Sequence, residues 1–251
     1  MISFVQNDIT FMSNSLRIAT WNLARPRTNG WQKNPAILQK LRDINADIWV
    51  LTETNHAIAL KNTHQGVPSQ DYPPESYYRP GENCTTIWSR YPVKQQIPTA
   101  EPFTAVCAEI ESPLGNLIVY GTIITWAADG VREREAKMWQ RHYESIHWHG
   151  KNWATLRNSE LPFCVAGDFN ECLHKPFRYG TPEGRALLEQ QLQRSNLVCV
   201  TASDEIGYNI DHICLSADWS KRVSQVKQWQ GYYKEGSKPV SDHFGIYVDL
   251  S

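Results

Sequence analysis

No Cys-x-x-Cys pair occurs in the 251-residue chain; Cys84, Cys107, Cys164, Cys172, Cys199 and Cys214 are scattered, several of them in apolar, strand-like runs. That pattern argues against a zinc site of the usual spacing and reads as reduced thiols used as small hydrophobes, in a reducing compartment. No apolar run approaches the roughly 18 residues needed to cross a bilayer, and Met1 to Ser15 lacks the basic start and apolar segment of a signal peptide. A cytoplasmic protein without membrane insertion is expected. Charge of one sign is also missing. Twenty-five Lys and Arg against 26 Asp and Glu leave a net charge of -1, so any binding of a polyanion must be local. Internal repeats, low-complexity tracts and a linker long enough to divide the chain are absent too. The expectation is a ragged N-terminal extension over residues 1–14 and a single domain over 15–251, a monomer with no obligate protein partner.

What is present suits a sizeable core: 41% apolar residues, ten Trp and eleven Tyr. The ordered part opens with Leu16-Arg-Ile-Ala-Thr-Trp-Asn22, a strand ending on Asn22. Asn34-Pro35 then starts a helix with Ile37, Leu41 and Ile44 at helical spacing. Asp47-Ile-Trp-Val-Leu-Thr-Glu53 is an apolar strand ending on a glutamate. Strand, helix, strand with polar side chains at the strand tips is an α/β signature. Residues 61–80 read as a loop, Thr85 to Pro92 as a strand broken by proline, and Ala105 to Ile110 and Leu117 to Thr125 as further strands with short, antiparallel connections. The stretch Asp129 to Trp153 places Ala136, Trp139, Tyr143 and Ile146 on one face of a helix, with Arg132, Arg134, Lys137 and Arg141 opposite. Thr181-Pro182 starts another helix, and the chain closes on strands at Leu197 to Thr201, Ile210 to Leu215 and His243 to Leu250.

The run Phe163-Cys-Val-Ala-Gly-Asp-Phe-Asn-Glu171 carries the most information. An apolar strand stops at a glycine and presents Asp168 and Asn170 two positions apart, on one face of an extended backbone. With Asn22, Glu53, Asp211, Asp242 and His243 they form a set of polar residues at strand ends. Each alone has an ordinary reading as a cap or turn residue. Together they match the needs of phosphoester hydrolysis: oxygen ligands for a hard divalent cation, a positioned water or base, and a donor for charge on the phosphate oxygens.

The sequence resembles the endonuclease/exonuclease/phosphatase superfamily, the DNase I-like metal-dependent phosphoesterases. The matching motifs are Thr20-Trp-Asn22, Leu51-Thr-Glu53, Ile87-Trp-Ser-Arg-Tyr-Pro92, Gly167-Asp-Phe-Asn170, Ile210-Asp-His-Ile213 and Ser241-Asp-His243, in the family's order. The resemblance implies an α/β fold of the α+β type, a four-layer sandwich of two mostly antiparallel β-sheets flanked by helices. It also implies Mg²⁺ or Mn²⁺ held by Glu53, Asn22 and Asp242. Asp168, Asn170, His243 and Asp211 would be catalytic: Asp168 on the attacking water, Asn170 holding that water or a phosphate oxygen, His243 on the scissile phosphate and Asp211 fixing its tautomer.

Two departures from the family stand out. Many members carry His or Tyr where this chain has Ile123, so a phosphate-contacting donor is either missing or supplied by Tyr120, Thr125 or Trp126. Ala24 stands where abasic-site endonucleases have a second polar metal-site residue, and Glu171-Cys-Leu-His-Lys-Pro176 also departs from that branch. Around the site, Arg25, Arg27, Arg90 and the 132–157 segment would flank a nuclease cleft, and Lys175, Arg178 and Arg185 would cluster to hold extra phosphates in an inositol-type phosphatase. The expected substrate is a phosphodiester, nucleic acid first, bound through Asn22, Arg25, Tyr120 and Arg178. The alternatives are a small-molecule or inositol-type phosphoester, or a degenerate family member that binds phosphate without cleaving it.

Overall fold

A computed structural model describes residues 14–71, 78–234 and 236–251. The expected ragged extension, residues 1–14, lies outside the described residues but for Asn14. The elements run β1 (Leu16–Asn22), α1 (Lys33–Ile44), β2 (Ile48–Asn55), β3 (Gln65–Pro68), β4 (Glu82–Ser89), β5 (Val93–Ile97), β6 (Ala105–Ser112), β7 (Gly115–Ile123), α2 (Gln140–Leu156), β8 (Phe163–Asp168), α3 (Pro182–Arg194), β9 (Leu197–Cys199), β10 (Asp211–Ser216), α4 (Ala217–Ser220), β11 (Val223–Trp229) and β12 (Gly245–Leu250). They build two six-stranded sheets, ordered β11-β12-β1-β2-β4-β3 and β5-β6-β7-β8-β10-β9. Each sheet is antiparallel except for one central parallel pair, β1–β2 in the first and β7–β8 in the second. Helices α1 and α2 make the crossovers these pairs require.

Alternation along the strands decides the layers. In β1, Leu16 and Ile18 join Ile48, Val50, Val119, Ala166 and Ile213 in a core between the sheets. Ala19 and Trp21 face outward, against Ile37 and Leu41 of α1. In β8, Cys164 and Ala166 face inward, while Phe163 and Val165 pack against Ile146 and Trp153 of α2 and Leu188 of α3. The result is the four-layer sandwich, with all six cysteines free.

Local chemistry explains the helix ends. Asn45 takes a left-handed conformation (φ 52°) and closes α1 through its N–H on Leu41 O. Thr181 caps α3, its hydroxyl accepting from Gly184 N at 2.9 Å with Pro182 in the first turn.

The helix expected over Asp129 to Trp153 is shorter. Residues 129–139 form turns, and α2 begins at Gln140 after Trp139, whose φ is 68°. Gly130 (φ 73°) reverses the chain so that its carbonyl accepts from Glu135 N at 2.9 Å, and Arg141 binds Asp129 and Glu135. Ala136, Trp139, Arg132, Arg134 and Lys137 therefore lie off the helix, and the basic helix face does not form. The loop expected over 61–80 contains β3, an edge strand. Strand β11 and the short α4 are not among the expected elements. In Val223 to Trp229 the apolar Val223, Val226 and Trp229 stand three apart instead of alternating, a bulge breaks the register, and the strand pairs on one side only with Ser224, Gln225 and Lys227 exposed.

Candidate active site

Asn22 and Asp168 meet because both end their strands on the inter-sheet face, following Ile18 and Thr20 in β1 and Cys164 and Ala166 in β8. Asn22 Nδ2 donates to Asp168 Oδ2 at 2.9 Å, while Asn22 Oδ1 accepts from Ala24 N at 2.8 Å. The amide is thus spent on protein partners, and it ties one sheet to the other. Asp168 Oδ1 accepts the backbone N–H of Asn170 at 2.9 Å, and Asn170 Nδ2 donates to Ile124 O at 2.9 Å. Gly167 makes this turn possible. Its φ is 139°, and a Cβ there would lie 1.9 Å from Thr122 O.

Asp211 begins β10 directly opposite Asp168 in the β8–β10 ladder. Asn209 fixes it from two residues upstream, accepting from Asp211 N at 3.1 Å. Asp211 Oδ2 lies 2.6 Å from His243 Nδ1, while its Oδ1 is buried with no hydrogen-bond partner. His243 is held from behind: its N–H donates to Ser241 Oγ at 3.1 Å, and Ser241 in turn donates to Asn22 O at 2.7 Å.

Electrostatics follow from this crowding. Burial raises the Asp168 carboxyl to about 7, opposed by the His243 charge and reinforced by Asp211 across the ladder. Burial alone would lower His243, but the carboxylates of Asp211, Asp168 and Asp242 outweigh it and hold the imidazole up at about 10. His243 is therefore a cation with Nδ1 committed to Asp211, leaving Nε2–H as a donor. Asp168, Asp211 and His243 lie close together; His243 is hydrogen-bonded to Asp211, while Asp168 is held by Asn22 and Asn170.

Glu53 stands apart from this trio. It is half-buried at the end of β2, with φ 45°, a conformation that turns the side chain off the strand line into the cleft. Burial pushes its carboxyl up, a hydrogen bond with Asn22 lowers it, and Asp242 raises it again. Two carboxylates facing one opening, with the neighbouring orphan oxygen of Asp211, form an oxygen-rich donor set that fits Mg²⁺ or Mn²⁺. Ala24, Arg25 and Asn170 share the positive φ of Glu53. Such conformations cost of order 1–3 kcal/mol each and collect at sites whose surroundings hold them in place.

These groups line a cleft of about 1130 Å³, with Arg25, Ile123, Thr125 and Trp126 among its walls. Arg25 pairs two-pronged with Glu82. The structure brings together Asn22, Arg25, Glu53, Asp168, Asn170, Asp211, Asp242 and His243. Two expectations are corrected. Tyr120 is a core residue: its hydroxyl lies 3.0 Å from His149 Nδ1, and its ring packs on Trp153 and Phe163, because alternation in β7 points it outward under α2. Arg178 is exposed and does not line the cleft. Lys175, Arg178 and Arg185 do not line the cleft, and Arg185 binds Glu171 at 3.0 Å and stacks on Phe177. Arg90 pairs with Asp47 at the far end of β2.

Sequence reasoning missed the buried knot behind the site. Glu171 accepts from Thr181 N at 3.0 Å, and its Oε2 lies 3.3 Å from His142 Nε2. His142 Nδ1 in turn reaches Thr125 O at 2.7 Å. Gly180 leaves room for Glu171, for a Cβ there would collide with its carboxylate at 1.6 Å. The available signal was a glutamate following the Asp-x-Asn strand tip, and a helix carrying two histidines on its apolar face.

Comparison with known proteins agrees with this fold. The profile of the Endonuclease/Exonuclease/phosphatase family matches residues 19–243. An AP endonuclease from Archaeoglobus fulgidus superposes with a TM-score of 0.67 at 15% identity, covering 94% of this chain and 99% of that one. A 3′ phosphatase from Neisseria, bound to a product DNA hairpin, gives 0.70 at 14% identity, with 94% and 99% covered. The human Nocturnin catalytic domain with bound sulfate gives 0.65 at 17% identity, with 94% and 93% covered. No curated protein sequence matches the chain. At these identities the solved structures speak for the fold, and the profile, which spans most of the chain, settles the kinship: the chain belongs to the endonuclease/exonuclease/phosphatase family of phosphoester hydrolases.

Proposed function

We propose that the chain is a divalent-metal-dependent phosphodiester hydrolase acting on nucleotide substrates, a nuclease in the broad sense. The observation that carries this reading is the Asn22–Asp168 bond between the sheets, which holds a buried carboxylate beside the His243–Asp211 pair and facing an oxygen-rich cleft. Glu53 and Asp242 would hold Mg²⁺ or Mn²⁺, with Asn22 a positioning residue more than a ligand. When bound there, the cation supplies Lewis acidity at the scissile phosphate. Asp168 takes a proton from water as the water oxygen bonds to phosphorus; the P–O ester bond breaks, and the leaving oxygen takes a proton from solvent. His243 Nε2–H donates to a non-bridging oxygen, where charge builds. Asp211 holds His243 protonated and oriented, and Asn170 closes the turn that aims Asp168. With Lys175, Arg178 and Arg185 off the cleft, a polyphosphorylated inositol substrate loses its support.

The test is hydrolysis of bis-p-nitrophenyl phosphate beside p-nitrophenyl phosphate, with Mn²⁺ and then with EDTA, for wild type and Asp168→Asn. Metal-dependent turnover of the diester, lost in the variant, is the expected result. Preference for the monoester would replace the reading with a phosphatase, and turnover undiminished in EDTA would remove the metal.

A further inference from the structure

The cleft is larger than the reacting centre needs, and its outer part has an unusual composition for a site on a polyanion. Among the described residues, nine carboxylates line it against three arginines and no lysine. Arg25 is bound to Glu82, and Arg141 to Asp129 and Glu135, so Arg132 alone among the three stands outside these ion pairs. Glu101, Glu133 and Glu144 face the same space. A nucleic-acid track needs successive cations at the backbone phosphates, and along the α2 wall a further phosphate would meet carboxylates.

The same wall offers aromatic surface instead. Arg141, Glu144, Ser145 and Trp148 fall on one face of α2, at i, i+3, i+4 and i+7, and all line the cleft. The loop after β7 docks on that face, Thr125 N donating to Ser145 Oγ at 3.3 Å, and so brings Trp126 alongside. Trp126 and Trp148 are 50% and 51% exposed, too open for core residues of their size, and Lys151 backs the Trp148 ring at 5.0 Å. Ile124, two residues before Trp126, bonds to both Asp168 and Asn170 through its backbone. The indole wall is thus anchored to the reacting centre.

We infer that the cleft takes a nucleotide-sized phosphodiester, with the planar base laid against Trp126 and Trp148 and its N–H groups directed at the carboxylates around them. An extended polynucleotide is the poor substrate. Stacking is tolerant of base identity, so discrimination falls on length and charge. This inference rests on the phosphodiesterase reading above.

The experiment compares kcat/KM in Mn²⁺ for thymidine 5′-monophosphate p-nitrophenyl ester, bis-p-nitrophenyl phosphate, p-nitrophenylphosphorylcholine, oligothymidylates of increasing length, and supercoiled plasmid. The nucleotide ester should exceed bis-p-nitrophenyl phosphate about tenfold or more, the scale of one base stack. Rates should stay flat or fall with oligomer length, and salt dependence should be shallow. In the Trp126→Ala/Trp148→Ala variant the ratio of nucleotide ester to bis-p-nitrophenyl phosphate should collapse about tenfold. Glu133→Gln/Glu144→Gln should raise kcat/KM on a long oligomer severalfold, a gain that a misfolded variant cannot imitate. Rates that climb with length under a steep salt slope, or efficient plasmid nicking, would overturn the inference. So would preference for the choline ester, or an unchanged ratio in the tryptophan variant. Silence on every diester would sink the phosphodiesterase reading itself, whereas turnover of bis-p-nitrophenyl phosphate without nucleotide preference would sink only this inference.

Discussion

The two sheets are built alike, and their central halves serve opposite ends. Each has one parallel pair joined by an outer helix, β1–α1–β2 and β7–α2–β8, and each pair delivers its strand tips to the cleft. The first presents Asn22 and Glu53; the second presents Ile123 and Asp168. Glu53 is half-open, whereas Asp168 is sealed beneath Asn22, Asn170 and Asp211. Behind the first pair the outer layer is apolar, with Trp21 and Trp49 edge-on to Trp229. Behind the second an equally apolar layer also encloses polar side chains, with Tyr120, His142, His149 and Glu171 all buried. A group that must meet a soluble cation needs access, and a base needs desolvation and fixed aim. These polar side chains supply that aim by holding both loops around Asp168.

The sharpest way to break this comparison is to neutralise the two carboxylates in turn. Asp168→Asn should lower kcat by about 10³-fold or more, within the range of a positioned base, and no Mn²⁺ concentration should recover it. Glu53→Gln should move the half-saturating metal concentration up by about 10- to 100-fold, with much of the rate regained at high metal. A metal titration unchanged in Glu53→Gln, or a rescue of Asp168→Asn by metal, would show that the division of labour is wrong.

Next in size is Asp211→Asn, which removes the largest influence holding His243 up at about 10. His243 must be protonated to donate, so activity disappears as pH rises through its pKa. In the variant that basic limb should move down toward the ordinary imidazole range, with a rate loss of about 10²-fold at its optimum. A basic limb that stays in place, in a pH–rate profile, would detach His243 from Asp211.

How much of this could be read from the sequence follows the same division. The strand tips were legible because each stands at the end of an apolar run, and the layers because alternation is a local property. Tyr120 was misplaced for a related reason. Its parity in β7 was available, but which face of that strand looks at the site depends on the partner sheet. Helix α2 was drawn too long because residues 129–139 carry a helical period that Gly130, Trp139 and the Arg141 ion pairs override. The positive φ of Glu53 has no local signature, and the Glu171 knot shows in sequence only as separate pieces whose meeting is a tertiary fact. Edge strands β3 and β11 escaped because one-sided pairing asks for little hydrophobicity.

The buried polar side chains can be weighed through His149, which is fully buried and held down to about 4 by desolvation, against a hydrogen bond to the Ile123 backbone. A base depressed in the fold is neutral there and protonates first when unfolded. Its contribution is therefore complete above the ordinary value of 6.5 and drains away as pH falls from 6.5 toward 4. The loss amounts to about 3 kcal/mol at most. Asp168, raised to about 7, changes stability in the opposite sense over the same window. The His149 share is therefore read as the difference between wild type and His149→Gln in urea melts at pH 7.5 and 4.5. Parallel pH dependence in the two proteins would mean that His149 is not buried neutral.

The smallest expected effect tests the asymmetry at its origin. Ile123 occupies in the second half the place Asn22 holds in the first, pairs across the β7–β8 ladder with Asp168, and lines the cleft without a donor. Thr125 and Trp126 line the same wall a few residues on. If the site works with a donor short, Ile123→His should raise kcat on bis-p-nitrophenyl phosphate severalfold, with the gain largest at pH values where an open imidazole is charged. If Thr125 already supplies the contact, Ile123→His should be near neutral and Thr125→Val should cost about tenfold. The pair of variants assigns the donor either way, because a hydroxyl that already contacts the phosphate leaves a new imidazole nothing to add.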